Sequence, residues 1–376
     1  MIRFLTAGES HGPGLVTIVE GLPKGLQIGT DDFAAELARR RRGYGRGGRM
    51  KIEQDELEIL GGVRHGRTLG SPVAVVIRNT EWENWSQIMS VEGDGAGKKV
   101  TRPRPGHADM AGMIKYDTDD ARDILERASA RETAARTVAG TLARRLLGEV
   151  GIDVLSQVVA IGDVRVELPP PADRDAIEAS EVRCPDPDAS ARMMAAIDAA
   201  TEAKDTLGGL VEVAAHGVPV GIGSHVHHDR RLDGLLAGAV MSIPGIKGVE
   251  IGSGFEVATG PGSMGHDEIR TDRTRMTNRA GGIEGGMSNG EVILVRAAMK
   301  PISTLMQPLQ TVDMTTGEPA QAVRERSDVC AVPAAGVVAE QMVALVMARE
   351  VQRKFGGDTI EDLVEAVSRY RARIGS

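Results

Sequence analysis

Six arginines fall within eleven residues, Arg39-Arg40-Arg41-Arg42-Gly43-Tyr44-Gly45-Arg46-Gly47-Gly48-Arg49, in a chain whose formal net charge is -8. Like charges at this density repel one another, and an acidic protein gains no solubility from them. A small, dense anion on which the guanidinium forks converge explains the crowding, because each fork binds phosphate or carboxylate bidentately. A solvated helix end is the commoner meaning of a basic run. Four glycines interleaved with the arginines make a poor solvated helix, and they let backbone approach a ligand closely.

Two further loops carry single imidazoles. Gly8-Glu9-Ser10-His11-Gly12-Pro13-Gly14 holds His11, and Arg102-Pro103-Arg104-Pro105-Gly106-His107-Ala108-Asp109 holds His107 on a path stiffened by two prolines. A lone histidine in a loop is usually an ordinary surface residue. Beside bound anions, however, an imidazole is favoured in the charged form that a proton donor needs.

Three familiar motifs fail on context. Gly8 to Gly12 matches G-x-S-x-G, but Pro13-Gly14 and a β-branched run follow Ser10 where a nucleophile elbow needs a helix. Gly43 to Gly48 matches G-x-G-x-x-G, yet follows a helix instead of a strand, and Gly97-Lys98-Lys99 lacks P-loop spacing. His225, His227 and His228 have no carboxylate or cysteine partner at ligand spacing, so no metal site is expected.

The rest of the composition narrows the class. Aromatic residues make up only 2%, which removes the stacking platforms of nucleic-acid binders, and the acidic balance repels a phosphate backbone. Cys184 and Cys330, the two cysteines, suggest neither a disulfide framework nor a CxxC site. The N-terminus lacks signal-peptide character and no apolar run is long enough to span a bilayer, so a cytoplasmic protein without membrane contact is expected.

The elements that must carry the loops follow from periodicity. Strands are expected at 2–5, 16–19, 51–60, 72–78, 154–166 as a pair, 211–215 and 292–298. Helices are expected at 31–42 with Thr30 as cap, at 119–147, 189–203, 232–241, 334–354 and 360–374, the last amphipathic enough for a subunit interface. In the 119–147 helix Arg127 and Arg131, four apart, should share a face. Residues 281–290 look too glycine-rich for any regular element. With no linker or repeat, residues 1–376 read as a single domain.

Taken together the loops resemble chorismate synthase. The resemblance rests on Gly8 to Gly12, Gly43 to Met50, Arg102 to Asp109, Glu126-Arg127-Ala128-Ser129-Ala130-Arg131-Glu132-Thr133, Asn278 to Gly286 and Lys300-Pro301-Ile302-Ser303-Thr304, in that order, with a further match at 326–330. It implies an α+β fold, a layered β-α-β sandwich, in a homotetramer. It also implies a lyase that takes 5-enolpyruvylshikimate 3-phosphate to chorismate and phosphate, in the shikimate pathway of aromatic amino-acid biosynthesis, with reduced FMN and no net redox change. By the same resemblance His11, His107 and Asp328 are catalytic, and Arg40, Arg46, Arg49 and Arg131 bind substrate. Arg127, Ala128, Ser129, Gly285, Lys300, Pro301, Ile302, Ser303, Thr304 and Arg326 are the implied FMN residues. Arg40 and Arg46 match positions sometimes assigned to NADP, so NADPH enters as a possible indirect reductant. The chain departs from the family pattern at Ser327 and Val329, which flank Asp328, and at Pro244-Gly245.

Overall fold

The computed structural model describes residues 1–47, 56–93, 97, 99–323 and 328–375. The loops just identified hang from two antiparallel sheets with helices between them. Strands β1 (Arg3–Ala7), β2 (Gly14–Glu20), β3 (Glu56–Gly61) and β4 (Val73–Arg78) form the first sheet in the order β1-β2-β4-β3. Strands β5 (Asp153–Ile161), β6 (Val164–Arg165), β7 (Gly209–His216), β8 (Ile246–Ile251) and β9 (Ile293–Met299) form the second in the order β8-β9-β7-β5-β6.

Between the sheets lie α1 (Thr30–Arg41), α5 (Thr133–Glu149) and α8 (Val332–Phe355). The remaining helices that bear on the argument are α2 (Trp82–Trp85), α3 (Asp109–Tyr116), α4 (Arg122–Ala128), α6 (Pro187–Glu202), α7 (Leu232–Met241) and α9 (Ile360–Ile374). Helix α5 packs on β2, where Leu15, Thr17 and Val19 are buried and the Thr17 hydroxyl donates to the Ala135 carbonyl at 2.9 Å. Helix α8 packs on β5 and β7. Sheet, helices and sheet make the α+β sandwich expected.

Helices α5 and α8 touch backbone to backbone. A Cβ built on Gly140 would lie 2.3 Å from the Gln341 Cβ and 2.7 Å from its Cα, so no side chain fits there. Gly140→Val is expected to destabilise the protein by at least about 1–3 kcal/mol, the cost of overpacking. Urea unfolding checks this; an unchanged midpoint would show that the helices part freely.

Four expectations need correction. Gly29, not Thr30, caps α1: its N–H is taken by the Asp32 carboxylate at 2.8 Å while Thr30 is already helical. The segment 281–290 contains a small hairpin pairing Ile283–Glu284 with Met287–Ser288. Gly285 and Gly286, at φ 58° and 83°, supply the two positive-φ positions of its tight turn. The expected 119–147 helix is two helices, α4 and α5, joined by a short 3-10 turn at Ala130–Glu132. Against the expectation of no membrane-length apolar run, α8 has the length and composition to cross a bilayer, but it is the buried core helix. Of the 51–60 strand, residues 51–55 lie outside the described residues. Cys184 and Cys330 are both buried free thiols.

Candidate active site

The break between α4 and α5 builds the site. At Ser129 the backbone turns extended (φ -64°, ψ 141°) and its side chain accepts from the Arg131 N–H, starting the 3-10 turn. Arg127 and Arg131 therefore do not share a face. Arg131 is buried in the wall of a cavity of about 860 Å³. Arg127 turns the other way and donates to the carbonyls of Thr6 and Gly8, each at 3.0 Å, and to the Thr6 hydroxyl at 2.7 Å. It ties strand β1 to α4 and lines a separate cleft.

The arginine run also divides. Consecutive helical residues point about 100° apart, so Arg39 and Arg40 leave α1 in different directions. Arg39 enters a buried ionic network, with Nη2 2.9 Å from Glu340 Oε1 and Nε 2.8 Å from Glu178. Arg40 enters the cavity wall, donating from Nε to the Thr133 hydroxyl at 2.9 Å and from Nη2 to the Ala130 carbonyl at 3.0 Å. Past the helix end, Arg46 Nη1 stands 3.2 Å from Asp328 Oδ2, and the Gly47 N–H donates to Asp328 Oδ1 at 2.7 Å. Asp328 thus pins the glycine-arginine loop to the start of α8. Arg49 and Arg326 lie outside the described residues, as does Ser327.

The two histidines face the same cavity, and each has a buried carboxylate on Nδ1. His11 Nδ1 lies 3.0 and 2.9 Å from the two oxygens of Glu126, whose Oε2 also accepts the His11 backbone N–H at 2.9 Å. The His11 ring stacks on Trp85 of α2, centroids 3.9 Å apart. His107 Nδ1 bonds Asp109 Oδ1, and the same carboxylate accepts from the Arg104 backbone N–H at 3.1 Å, its Nε at 2.8 Å and its Nη2 at 3.1 Å. Burial would raise the Asp109 pKa, but the His107 and Arg104 bonds overcome it and hold the carboxyl well below the usual range. Arg104 Nη1 reaches the Thr304 hydroxyl at 3.1 Å.

The Lys300 to Thr304 segment, continuing from β9, forms another wall, and Lys300 Nζ donates to the Gly106 carbonyl. Burial, with Lys247 nearby, lowers the Lys300 pKa. Ala128, Ser129, Ile243, Pro244, Met299 and Ala335 add small and apolar residues to the lining. Of the residues singled out in the sequence, His11, His107, Asp328, Arg40, Arg46, Arg131, Ala128, Ser129, Lys300, Pro301, Ile302, Ser303 and Thr304 all line this one cavity. Gly285 does not; it sits in the hairpin turn with no atom within 4 Å of a built Cβ. His227, His228 and Asp229 gather on the exposed surface, and His225 stays out of that group.

Sequence reasoning gave no role to Glu126, Asp109, Arg104, Ser10 or Trp85, although the structure sets all five in or against the site. The signal was present for the first four, which share the histidine-bearing or arginine-bearing motifs. Trp85 is one of two tryptophans in the chain, both in α2, and that rarity was its only mark.

A volume of about 860 Å³ is near the top of the range of roughly 300–1,000 Å³ for small-molecule sites, leaving room for more than one ligand. Its lining combines guanidinium groups, two carboxylate-braced imidazoles and apolar residues. Such a site suits a polyanion that loses or gains a proton beside a flat apolar partner. Comparisons with known proteins identify the family. Residues 2–351 match the chorismate synthase family. Chorismate synthase of Parafrankia sp. is 59% identical over 379 residues, covering 96% of each chain, and that of Thermobifida fusca is 56% identical with 98% of each chain covered. A chorismate synthase crystal structure superposes with a TM-score of 0.80 at 41% identity, covering 99% of this chain and 98% of the other. The order of the loops, the sandwich that carries them and the matches along nearly the whole length leave one conclusion: the chain belongs to the chorismate synthase family.

Proposed function

We propose that this protein eliminates phosphate from 5-enolpyruvylshikimate 3-phosphate in a 1,4 sense to give chorismate, with reduced FMN bound beside the substrate. The observation that carries the reading is the convergence of His11, His107 and Asp328 with Arg40, Arg46 and Arg131 on one cavity. A substrate with one phosphate and two carboxylates needs several guanidinium forks. Arg40, Arg46 and Arg131 bind and orient it, with Arg49 completing the set.

Reduced FMN, when bound, supplies an electron-rich partner to the allylic system and is regenerated in the same redox state. The residues present fit such a group: Lys300 contributes positive charge, Ser129, Ser303 and Thr304 contribute hydroxyls, and Ala128, Pro301 and Ile302 contribute small or apolar surface. Arg127 and Gly285, implied by resemblance, do not reach this cavity within the chain, and the role of Arg326 rests on resemblance alone. His11 donates a proton to the departing phosphate, His107 holds a proton at the flavin side, and Asp328 assists removal of the ring proton. The same arginine side, at Arg40 and Arg46, would accept a phosphate of NADPH if the protein drew reductant from it. A cytoplasmic homotetramer is the assembly this reading carries with it.

The test is anaerobic turnover of 5-enolpyruvylshikimate 3-phosphate with chemically reduced FMN, following chorismate absorbance and phosphate together. Equal appearance of both is expected. Tight binding of both ligands without product would overturn the lyase reading, and oxidised FMN with NADPH in a parallel assay decides whether the protein reduces its own flavin.

A further inference from the structure

We propose that Glu126 is the positioning residue of His11: its carboxylate holds the Nδ1 proton, so that Nε2 is the nitrogen that exchanges protons with the ligand. The inference rests on His11 as the proton donor of the proposed reaction and adds what makes it one.

Glu126 is 2% exposed. Oε2 accepts the His11 backbone N–H at 2.9 Å, Oε1 accepts Arg122 Nη1 at 2.8 Å, and both face His11 Nδ1. Its backbone carbonyl accepts the Ser10 N–H at 3.0 Å, so Glu126 holds the histidine loop to α4 through backbone as well as side chain. Burial raises the Glu126 pKa, but His11 and Arg122 outweigh it and keep the group a carboxylate. A carboxylate can only accept, which dictates that Nδ1 carries hydrogen in both the neutral and the charged ring. Free imidazole has no such constraint. Trp85 stacks on one face of the ring, with the Arg122 guanidinium 5.2 Å from the Trp85 ring centroid, so a quarter turn of the imidazole breaks the stack and a half turn gives up both Nδ1 contacts to Glu126. When Nε2 gives its proton to a phosphate oxygen, the ring is left neutral as the Nδ1–H tautomer, already paired with the carboxylate. No rotation or second proton movement is needed.

Glutamine at 126 has the same shape but one acceptor atom. Arg122 and the His11 N–H both demand an acceptor, so the amide NH2 must face one of the donors or face Nδ1. Facing Nδ1 reverses the tautomer and puts the neutral ring's hydrogen on Nε2, the fault that disables a histidine whose carboxylate partner becomes an amide.

The experiment is nitrogen-15 NMR of the eight histidines at the alkaline end of a pH titration, where imidazoles are neutral, with His11 assigned by the spectrum lost in His11→Asn. Wild type and Arg122→Met should show His11 as the Nδ1–H tautomer, and Glu126→Gln as Nε2–H. In turnover, Glu126→Gln should lose about 100-fold or more in kcat with KM changed little. A wild-type His11 in the Nε2–H form overturns the proposal, as does a folded Glu126→Gln with unchanged tautomer and kcat. Should Glu126→Gln fail to fold, the wild-type and Arg122→Met spectra still decide. Because the tautomer is read without substrate or flavin, its failure is distinct from failure of the lyase reading.

Discussion

Replacing His107 by alanine should leave substrate binding within a few-fold of wild type and slow turnover by about 10- to 10,000-fold, the span for a lost acid–base group. The geometry separates the two effects. Removing the imidazole takes one donor from Asp109, but Arg104 still gives that buried carboxylate its backbone N–H at 3.1 Å, Nε at 2.8 Å and Nη2 at 3.1 Å. Arg104 itself stays tied to Thr304 at 3.1 Å, so the stiff loop and the 300–304 wall remain joined. The forks proposed to hold the anion, Arg40 and Arg131, come from α1 and the 3-10 turn and do not depend on His107. Equilibrium titration of the substrate alongside single-turnover kinetics separates the two effects. A variant that turns over at the wild-type rate would remove His107 from the chemistry, and a large loss of affinity with unchanged kcat would make it a binding residue.

Much of this site could be read from the chain before its structure. Loops at 8–14 and 102–109 announce themselves through glycine and proline, and their histidines do meet in one cavity. What could not be read is direction. Arg39 and Arg40 are neighbours in a charge run, and only the turn of α1 sends one to Glu340 and the other to the cavity wall. The pattern over 119–147 stays compatible with a helix throughout, since Ser129, Ala130 and Arg131 contain no glycine or proline to mark a break. Long-range bonds accompany the break: Ala130 lends its carbonyl to Arg40, and the Ser129 hydroxyl lies 3.3 Å from that of Ser10. Resemblance supplied roles that periodicity could not. The partners of the imidazoles, Glu126 and Asp109, were in plain view within the motifs. Nothing in spacing says which carboxylate meets which histidine.

Glu340→Gln is expected to cost about 3–5 kcal/mol of stability at neutral pH, the loss that follows when one member of a buried charge network is removed. Glu340 is fully buried in the middle of α8, and its oxygens meet Arg39 at 2.8 Å, Arg183 at 2.8 Å and Arg144 at 3.3 Å, with Ser156 donating from its N–H at 2.9 Å and its hydroxyl at 2.8 Å. Glu36 and Glu178 supply the other two negative charges, so three arginines face three carboxylates and the removal of one leaves an uncompensated cation in the core. Burial alone would raise the Glu340 pKa; the three guanidiniums reverse this and bring it down to about 2 from the ordinary 4.5. A folded-state pKa below the unfolded one means stability that is fully present above about pH 4.5 and lost as pH falls toward about 2. On the order of 3 kcal/mol is at stake over that window. Urea unfolding of both proteins at pH 7 and at steps below pH 4.5 should therefore show a gap that narrows with acid, because the wild-type carboxylate is itself being neutralised. A gap that stays constant would mean that packing around the side chain, and not its charge, holds α1, α5 and α8 together. The distinction reaches the active site, since Arg39 is held by this network and Arg40 is the next residue on the same helix. With the charge removed, the substrate Kd should rise in step with the lost stability only if the network fixes where α1 ends.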